Sequence, residues 1–189
     1  MEQIIELDRE LYLFLNNLGS PFWDPFWLLI TYKWTWIPLY VFLLYLIYRK
    51  FGAKGTLITA IVIALLITAS DQLAYVFKHS FERPRPCRQE GVMEYARFIA
   101  VRCGSFGYFS AHASSSTGLA VFVGLLLKRD YLKLPYLMII WAALVSYSRI
   151  YVGVHYPLDV VTGMFIGALL GYLFYRLHSF LAEKFKVNF

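Results

Sequence analysis

The sequence predicts an all-α integral membrane protein: a bundle of about five transmembrane helices plus an N-terminal interfacial amphipathic helix. Of the 189 residues, 59% are hydrophobic, 19% are aromatic and only 16% are charged, whereas about a quarter of the residues of a soluble domain carry a charge. The apolar residues are also gathered into long runs, as membrane-spanning helices require. We therefore expect a single membrane-embedded domain over residues 1–189.

The first predicted element is a helix over residues 2–18 that lies at the membrane interface. Its apolar residues recur at helical spacing among acids, and they are too few to cross a bilayer. The segment has neither a basic start nor a small-residue cleavage site, so we expect no cleavable signal peptide. Gly19-Ser20-Pro21 ends the helix. Tryptophans then crowd the start of the next apolar run, as in an aromatic belt, and Lys33 among them is interpreted as a snorkelling side chain.

Five apolar runs follow and are predicted to span the membrane. They cover residues 26–48, 55–77, 113–127, 134–147 and 157–177. The short connections at 49–54 and 128–133 are rich in Lys and Arg, which favours the cytoplasmic side for them. The segments 78–112 and 148–156 would then face the periplasm or exterior of a bacterial inner (cell) membrane.

The distribution of charge bears on the partners of the chain. The formal net charge is +6, and the basic residues fall in clusters at the ends of apolar runs. Such a pattern suits anionic lipid and phosphate better than nucleic acid. We therefore expect the bilayer and a lipid phosphate as partners, no nucleic acid and no obligate protein partner.

Three polar clusters lie at the predicted span ends, all on the outer side. They are Lys78 with Arg85-Pro86, the segment Ser110-Ala111-His112, and the stretch Ser148-Arg149 through His155 to Asp159. Each cluster has a simpler explanation by itself, such as a snorkelling lysine, an interfacial arginine or a buried histidine. Chance does not readily gather two histidines, three cations and an acid on one membrane face, so we interpret the clusters as one site.

These residues resemble a known family. Lys-x6-Arg-Pro, then Ser-x-His, then Ser-Arg-x5-His-x3-Asp is similar to the three-part signature of the type 2 phosphatidic acid phosphatase (PAP2) superfamily, and the resemblance covers about residues 68–167. Its members are integral-membrane lipid phosphatases, with soluble vanadium haloperoxidases as relatives. The second motif carries Phe109 and Ala111 where proline and glycine are common. The soluble haloperoxidase activity is disfavoured because most of this chain is suited to a bilayer.

The motif residues have physically distinct predicted roles. A phosphate group brings negative charge that must be neutralised in the transition state. Arg85 and Arg149 offer planar forks for phosphate oxygens, and Lys78 adds a point charge. Ser110 and the backbone N–H groups from Ala111 onward complete the predicted phosphate-binding set.

The predicted chemistry uses two histidines. His112 is the nucleophile that forms a phosphohistidine, which water then hydrolyses. His155 protonates the leaving oxygen and then activates the water, and Asp159 sets the tautomer of His155 and stabilises its cation. No cluster of metal ligands remains once these residues are used, so we predict metal-independent hydrolysis with no cofactor.

Several further residues have open interpretations. Arg83 is interpreted either as a contact to a second phosphate or the loop, or as a structural residue. Asp71 would form a hydrogen bond inside the bundle or support the residues that bind phosphate, and Ser148 would support its neighbour in the third motif. Cys87 and Cys103 would form a disulfide if their loop faces the periplasm, the alternative being two free thiols.

The expected activity is hydrolysis of a lipid phosphate or diphosphate. Family resemblance implies undecaprenyl diphosphate, phosphatidylglycerophosphate, phosphatidate or lipid A phosphate as substrate, and we favour undecaprenyl diphosphate. A lipid-to-lipid phosphotransferase that uses the same phosphohistidine is an alternative. A non-enzymatic lipid carrier is disfavoured, because a carrier has no use for His155 paired with Asp159.

Overall fold

The computed structural model describes residues 2–186 as six α-helices. Their bounds are α1 Glu2–Asn17, α2 Asp24–Thr31, α3 Ile37–Phe81, α4 Ala111–Leu127, α5 Leu134–Tyr151 and α6 Pro157–Lys184. Two short 3₁₀ turns, Lys33–Trp36 and Pro86–Arg88, lie between them. The predicted all-α class is confirmed.

The region predicted to hold the first two spans is divided differently in the structure. A first span starting at residue 26 is wrong, because α2 ends at Thr31 and Tyr32 is extended. Helix α3 begins at Ile37 and runs through the predicted connection at 49–54 as far as Phe81. Within it, Gly52 has φ 64° and ψ −172°, which a glycine adopts without a Cβ penalty, and this non-helical residue divides α3 into two segments.

Helix lengths agree with an integral membrane protein. Lys33–Phe81, Leu134–Tyr151 and Pro157–Lys184 are long and apolar enough to cross a membrane, and Ala111–Leu127 is a shorter apolar helix. The last three predicted spans match α4, α5 and α6, and the predictions end four residues early in α5 and seven early in α6. The last turns of both helices contain polar residues, so the apolar runs stop before the helices end.

Helix α4 lies at the centre of the bundle and packs closely on α6. Glycines of α6 follow one another every four residues, at Gly163, Gly167 and Gly171. A Cβ at Gly167 would lie 2.2 Å from the carbonyl oxygen of Ser114, and one at Gly171 would lie 2.5 Å from that of Gly118. Small residues at this spacing let two membrane helices approach backbone to backbone.

Helix α1 turns polar residues toward the protein. It forms over Glu2–Asn17, close to the predicted 2–18. Its buried residues are Asp8, Tyr12 and Asn16, spaced one helical turn apart, whereas large apolar residues such as Leu7 remain exposed. The Asn16 amide donates to the carbonyls of Arg97, Ile150 and Tyr151 at 2.9–3.0 Å. The polar stripe therefore anchors α1 by hydrogen bonds, and its apolar side faces outward.

Candidate active site

The three polar clusters meet at one end of the bundle. The backbone N–H of Ser110 donates to the carbonyl of Asp159 at 3.0 Å, which ties the second cluster directly to the third. Ser110 is also the N-cap of α4, because its hydroxyl accepts the N–H of Ala113 at 3.4 Å. The Ser110 side chain therefore caps the N-terminus of α4, and Ala111 and His112 lie in the first turn of this helix.

His112 is exposed to a large apolar cavity between α2, α3, α4 and α5. The cavity has a volume of about 620 Å³, and both Ala111 and His112 line it. Most of its walls are aliphatic or aromatic. The polar residues among them are Thr31, Lys33, Asp71, Ser115 and Ser116. A hydrocarbon chain could occupy this space while a polar head remains beside the histidine.

Three cations surround His112. The charges of Arg149, Lys78 and Arg85 all act on its imidazole, as does that of His155. Among residues 2–186, no salt bridge involves any of these three cations. None of the three therefore forms an ion pair with an acid within that range, which suits an anionic ligand.

Arg85 and Arg149 each donate a hydrogen bond to a neighbouring group. The Nε of Arg85 donates to the carbonyl of Phe106 at 2.9 Å. One terminal nitrogen of Arg149 donates to the Thr31 hydroxyl, and its Nε is buried without a hydrogen-bond partner within residues 2–186. Burial lowers the pKa of Arg85, although a guanidinium keeps its charge at neutral pH.

His155 and Asp159 form a buried pair. The Nδ1 of His155 lies 3.3 Å from Oδ2 of Asp159, and that oxygen also accepts the N–H of Tyr156 at 3.1 Å. Because an ionised carboxylate can only accept, Nδ1 carries the hydrogen and Nε2 remains for proton exchange. Burial, followed by the charges of Arg85, Arg149 and Lys78, lowers the pKa of His155 well below its ordinary value.

Arg83 does not join the unpaired cations. One terminal nitrogen donates to Oδ1 of Asp159 at 2.8 Å and the other donates to Oδ2 of Asp8 at 2.6 Å. Although burial by itself lowers the pKa of the guanidinium, the charge of Asp159 and the hydrogen bond to Asp8 outweigh it and raise that pKa. Of the two interpretations left open by the sequence, the structural one fits these contacts.

The remaining predicted residues occupy supporting positions. The hydroxyl of Ser148 is buried and donates to the carbonyl of Val145 at 2.6 Å, one turn back in α5. Asp71 lines the cavity below Lys78 on α3. Cys87 and Cys103 are joined in a disulfide, which closes the loop before α4.

Some site residues were missed by the sequence analysis. Asp8 was not singled out, and the regular spacing of Asp8, Tyr12 and Asn16 was the signal for a buried polar stripe. Gly107 was not singled out and carries no recognisable motif. A Cβ there would lie 3.0 Å from Oδ2 of Asp159 and 3.7 Å from Nδ1 of His155.

Metal-binding side chains are not clustered in the part of the chain that the structure describes. Within residues 2–186, no three His, Cys, Asp or Glu residues form a group able to hold an ion. Metal-independent hydrolysis stays a prediction.

A helical membrane bundle that gathers three cations and a second histidine around His112, which itself lines an apolar cavity, suits a phosphatase that acts on a lipid. A family model described as the PAP2 superfamily matches residues 56–183. The chain belongs to the PAP2 superfamily and is a PAP2-type membrane lipid phosphatase.

Comparison with individual proteins adds detail. The chain is 38% identical to a "Lipid A 4'-phosphatase" of Bacteroides thetaiotaomicron, over 97% of this chain and 80% of that protein. It is 34% identical to an "Undecaprenyl-diphosphatase" of Sulfolobus acidocaldarius, over 78% of this chain and 65% of that protein. Among solved structures, a transmembrane PAP2-type phosphatidylglycerolphosphate phosphatase of Bacillus subtilis superposes with a TM-score of 0.75 at 20% identity, over 95% of this chain and 88% of that one. This last likeness concerns the fold alone.

Proposed function

We propose that this chain removes a phosphate from lipid A, or from a closely similar acylated glucosamine phosphate. The observation that carries the proposal is the position of His112, on the wall of an apolar cavity and close to three cations that form no salt bridge within residues 2–186. The cavity suits acyl chains, and the cations suit a phosphate.

The choice of lipid differs from our first preference. The sequence motifs contain only residues that bind or attack the phosphate group, so they are compatible with both undecaprenyl diphosphate and lipid A phosphate. The similarity to a lipid A 4'-phosphatase extends over 97% of the chain, and the similarity to an undecaprenyl-diphosphatase over 78%. The longer similarity favours lipid A phosphate, which the sequence analysis held as an alternative.

The polar residues of the cavity support the same choice. Lys33 and Asp71 line the cavity together with His112, and Asp71 lies two turns from Lys78 along α3. A prenyl chain has no polar group to meet them. The glucosamine of lipid A carries amide, ester and hydroxyl groups next to its phosphate, and these could satisfy both side chains.

The proposed reaction proceeds in two steps. When the phosphate dianion binds, it offsets the surrounding cations and His155 takes up a proton at Nε2. In the first step, His112 attacks phosphorus, the bond from phosphorus to the lipid oxygen breaks, and His155 gives that Nε2 proton to the lipid oxygen. In the second, His155 takes a proton from water, whose oxygen attacks the phosphohistidine and releases phosphate. Lys78, Arg85 and Arg149 stabilise the charge on the phosphoryl oxygens in both steps.

We also propose five membrane crossings, with the site at the outer surface of a bacterial inner membrane. Gly52 would separate the first two crossings within α3. At the end of the bundle away from the site, Lys50 forms a 2.6 Å salt bridge with Asp130 and donates to the carbonyl of Leu126. The basic connections therefore meet on one side, which supports a cytoplasmic location for that end. Helix α1 would lie at the opposite interface.

The test is phosphate release by the purified full chain in detergent from a lipid panel. Lipid A, undecaprenyl diphosphate, phosphatidylglycerophosphate and phosphatidate would each be supplied, with mass spectrometry of the lipid products. We expect lipid A to lose one phosphate at least roughly tenfold faster than the others, equivalent to about 1.4 kcal/mol of discrimination. Equal or faster hydrolysis of undecaprenyl diphosphate would contradict the choice of lipid.

The same assay tests the nucleophile. His112→Ala should release no phosphate above background, because the phosphohistidine cannot form. His79→Ala is the matched control, since His79 is an exposed histidine near the same end of α3. Wild-type turnover by His112→Ala would show that another group attacks phosphorus.

A further inference from the structure

The side chain of Asp159 faces donors from three residues, Arg83, His155 and Tyr156. Its side chain is fully buried. Oδ2 faces Nδ1 of His155 and the N–H of Tyr156, and Oδ1 accepts from Arg83. The orientation of the carboxylate toward His155 therefore depends on what holds Oδ1, because Oδ1 and Oδ2 rotate together.

Arg83 is the group that holds Oδ1, and it is itself fixed on several sides. Its second terminal nitrogen donates to Asp8, and its guanidinium lies 4.2 Å from the ring centre of Tyr156. Tyr156 in turn packs edge-on against Tyr12 of α1, with ring centres 5.3 Å apart. The rotamer of Arg83 is thus defined by an acid on α1, an acid on α6 and an aromatic face.

Asp8 joins α1 to the start of α6. While Oδ2 accepts from Arg83, Oδ1 accepts the backbone N–H of Leu158 at 2.8 Å. Leu158 is the second residue of α6, so its N–H has no partner within the helix, and Asp8 satisfies it from outside. Asp8 therefore orients Arg83 and fixes the helix turn that carries Asp159.

We propose that Asp8 and Arg83 are positioning residues for the acid–base histidine, acting on His155 through Asp159. The proposal rests on the role given to His155 above. Arg83 keeps Asp159 ionised and aims Oδ2 at Nδ1, and Asp8 keeps Arg83 in place. This assigns the N-terminal helix a part in catalysis without any contact to the substrate.

The charges explain why the two residues form a unit. Asp8 and Asp159 share one guanidinium, so removing Arg83 would leave two buried carboxylates in mutual repulsion, and one of them would take up a proton. A protonated Asp159 no longer stabilises the imidazolium of His155. Removing the charge of Asp8 instead leaves the Arg83–Asp159 pair intact but loosely held, so its effect is smaller.

The test compares kcat, KM and pH dependence in the full chain with a lipid phosphate that the wild type hydrolyses. Arg83→Met should lower kcat roughly 10- to 100-fold with little change in KM, because partners that orient a reacting group typically contribute that much. Asp8→Asn should lower kcat less, by roughly 3- to 10-fold. Arg83→Lys should recover part of the loss, since it keeps the charge but not the two-pronged geometry.

The pH profile separates positioning from simple destabilisation. The groups that face His155 are Asp159 on α6, Arg149 on α5, Lys78 on α3, His112 on α4 and Arg85 in the loop before α4. Losing the charge of Asp159 lowers the pKa of His155 in the complex with substrate, so the alkaline limb of kcat should move to lower pH in Arg83→Met. A merely structural defect would reduce the amount of active protein at every pH and would leave the alkaline limb of kcat at its wild-type pH.

Matched controls are available in the same elements. Glu10→Gln in α1 and Arg102→Met in the loop before α4 change exposed charges nearby and should leave kcat and the pH profile unchanged. If Arg83→Met does not fold, Asp8→Asn and Arg83→Lys still test the proposal, through a lowered kcat at unchanged KM.

Two results would overturn the proposal. A raised KM with unchanged kcat and an unmoved alkaline limb in Arg83→Met would mean that Arg83 binds the phosphate. A wild-type kcat in Asp8→Asn would remove α1 from catalysis. The function proposed above fails separately, through turnover by His112→Ala, whatever the Arg83 variants do.

Discussion

The two faces of α4 are built on opposite principles, although both begin at the turn that carries His112. Toward α6, the helix is packed so closely that glycines face its backbone, with a Cβ at Gly163 only 2.6 Å from the carbonyl of Ser110. Toward α2, α3 and α5, the same helix lines a cavity of about 620 Å³. One face has no room for a methyl group, and the other has room for a lipid chain.

This difference separates two requirements of a lipid phosphatase. The close contact sets the distance between the helix of His112 and the helix of Asp159, where small errors in geometry are costly. The cavity needs only to be apolar and long, because hydrocarbon binding is non-directional. A single helix can satisfy both because its faces are independent.

The largest expected effect comes from the α4/α6 contact. Gly167→Leu places side-chain atoms against the backbone carbonyl of Ser114, where even a Cβ would lie at 2.2 Å. Overpacking costs about 1–3 kcal/mol where neighbours can shift, and a helix backbone shifts less easily. We expect loss of a folded, active protein, measured by gel filtration and thermal unfolding in detergent. Phe165→Leu, on the exposed face of α6, is the control and should remain stable. Wild-type unfolding of Gly167→Leu would contradict the close contact.

A smaller and selective effect is expected from the cavity. Ala64 of α3 lines the cavity, so Ala64→Trp would fill part of the space proposed for the lipid tail. It should raise the KM of a long-chain lipid phosphate roughly tenfold, about 1.4 kcal/mol, and leave a short-chain water-soluble phosphatidate unaffected. Leu65→Trp is the matched control, because Leu65 is the next residue and is exposed on the outside of the bundle. Equal effects on both chain lengths would mean that the cavity does not hold the lipid tail.

The smallest expected effect is the uptake of a proton by His155, which lies near the start of α4. In the free protein, burial and the charges of Arg85, Arg149 and Lys78 keep the pKa of His155 low, so its imidazole is neutral at neutral pH. A bound phosphate dianion offsets these cations and raises that pKa, so phosphate binding should draw in a fraction of one proton. Calorimetry of inorganic phosphate binding in two buffers of different ionisation enthalpy measures this uptake.

Two variants test the source of that proton. His155→Gln should reduce the uptake, and His79→Gln, which changes an exposed histidine, should not. Uptake in His155→Gln equal to that of the wild type would assign the proton to another group.

The comparison also shows where sequence reasoning succeeded and failed. The positions of α4, α5 and α6 followed from apolar runs, except for the polar last turns of α5 and α6, because hydrophobic burial in a bilayer leaves a local pattern. Arg83 and Arg85 were separated by motif spacing only in part, since the spacing from Lys78 assigned Arg85 to the phosphate and left the role of Arg83 open. Both are arginines followed by proline in one short segment, yet Arg83 pairs with two acids and Arg85 lies among unpaired cations.

The packing of α1 shows the same division. Its amphipathic pattern predicted an interfacial helix and said nothing about which of its residues contact the bundle. The apolar side faces outward, and Asp8, Tyr12 and Asn16 face the bundle. In a bilayer, apolar surface gains nothing by turning inward, so hydrogen bonds decide which side packs.

By itself the sequence determined the membrane class, the residue types able to bind and attack a phosphate, and their order along the chain. These are local properties, since they depend on composition and on spacing within single segments. Tertiary structure alone decided which cation pairs with an acid, which face of α1 is buried, and where a lipid chain fits beside His112. Asp8 and Arg83 are 75 residues apart, and Arg83 and Asp159 are 76 apart. Contacts across such distances depend on how helices pack, and no periodicity within one helix encodes them.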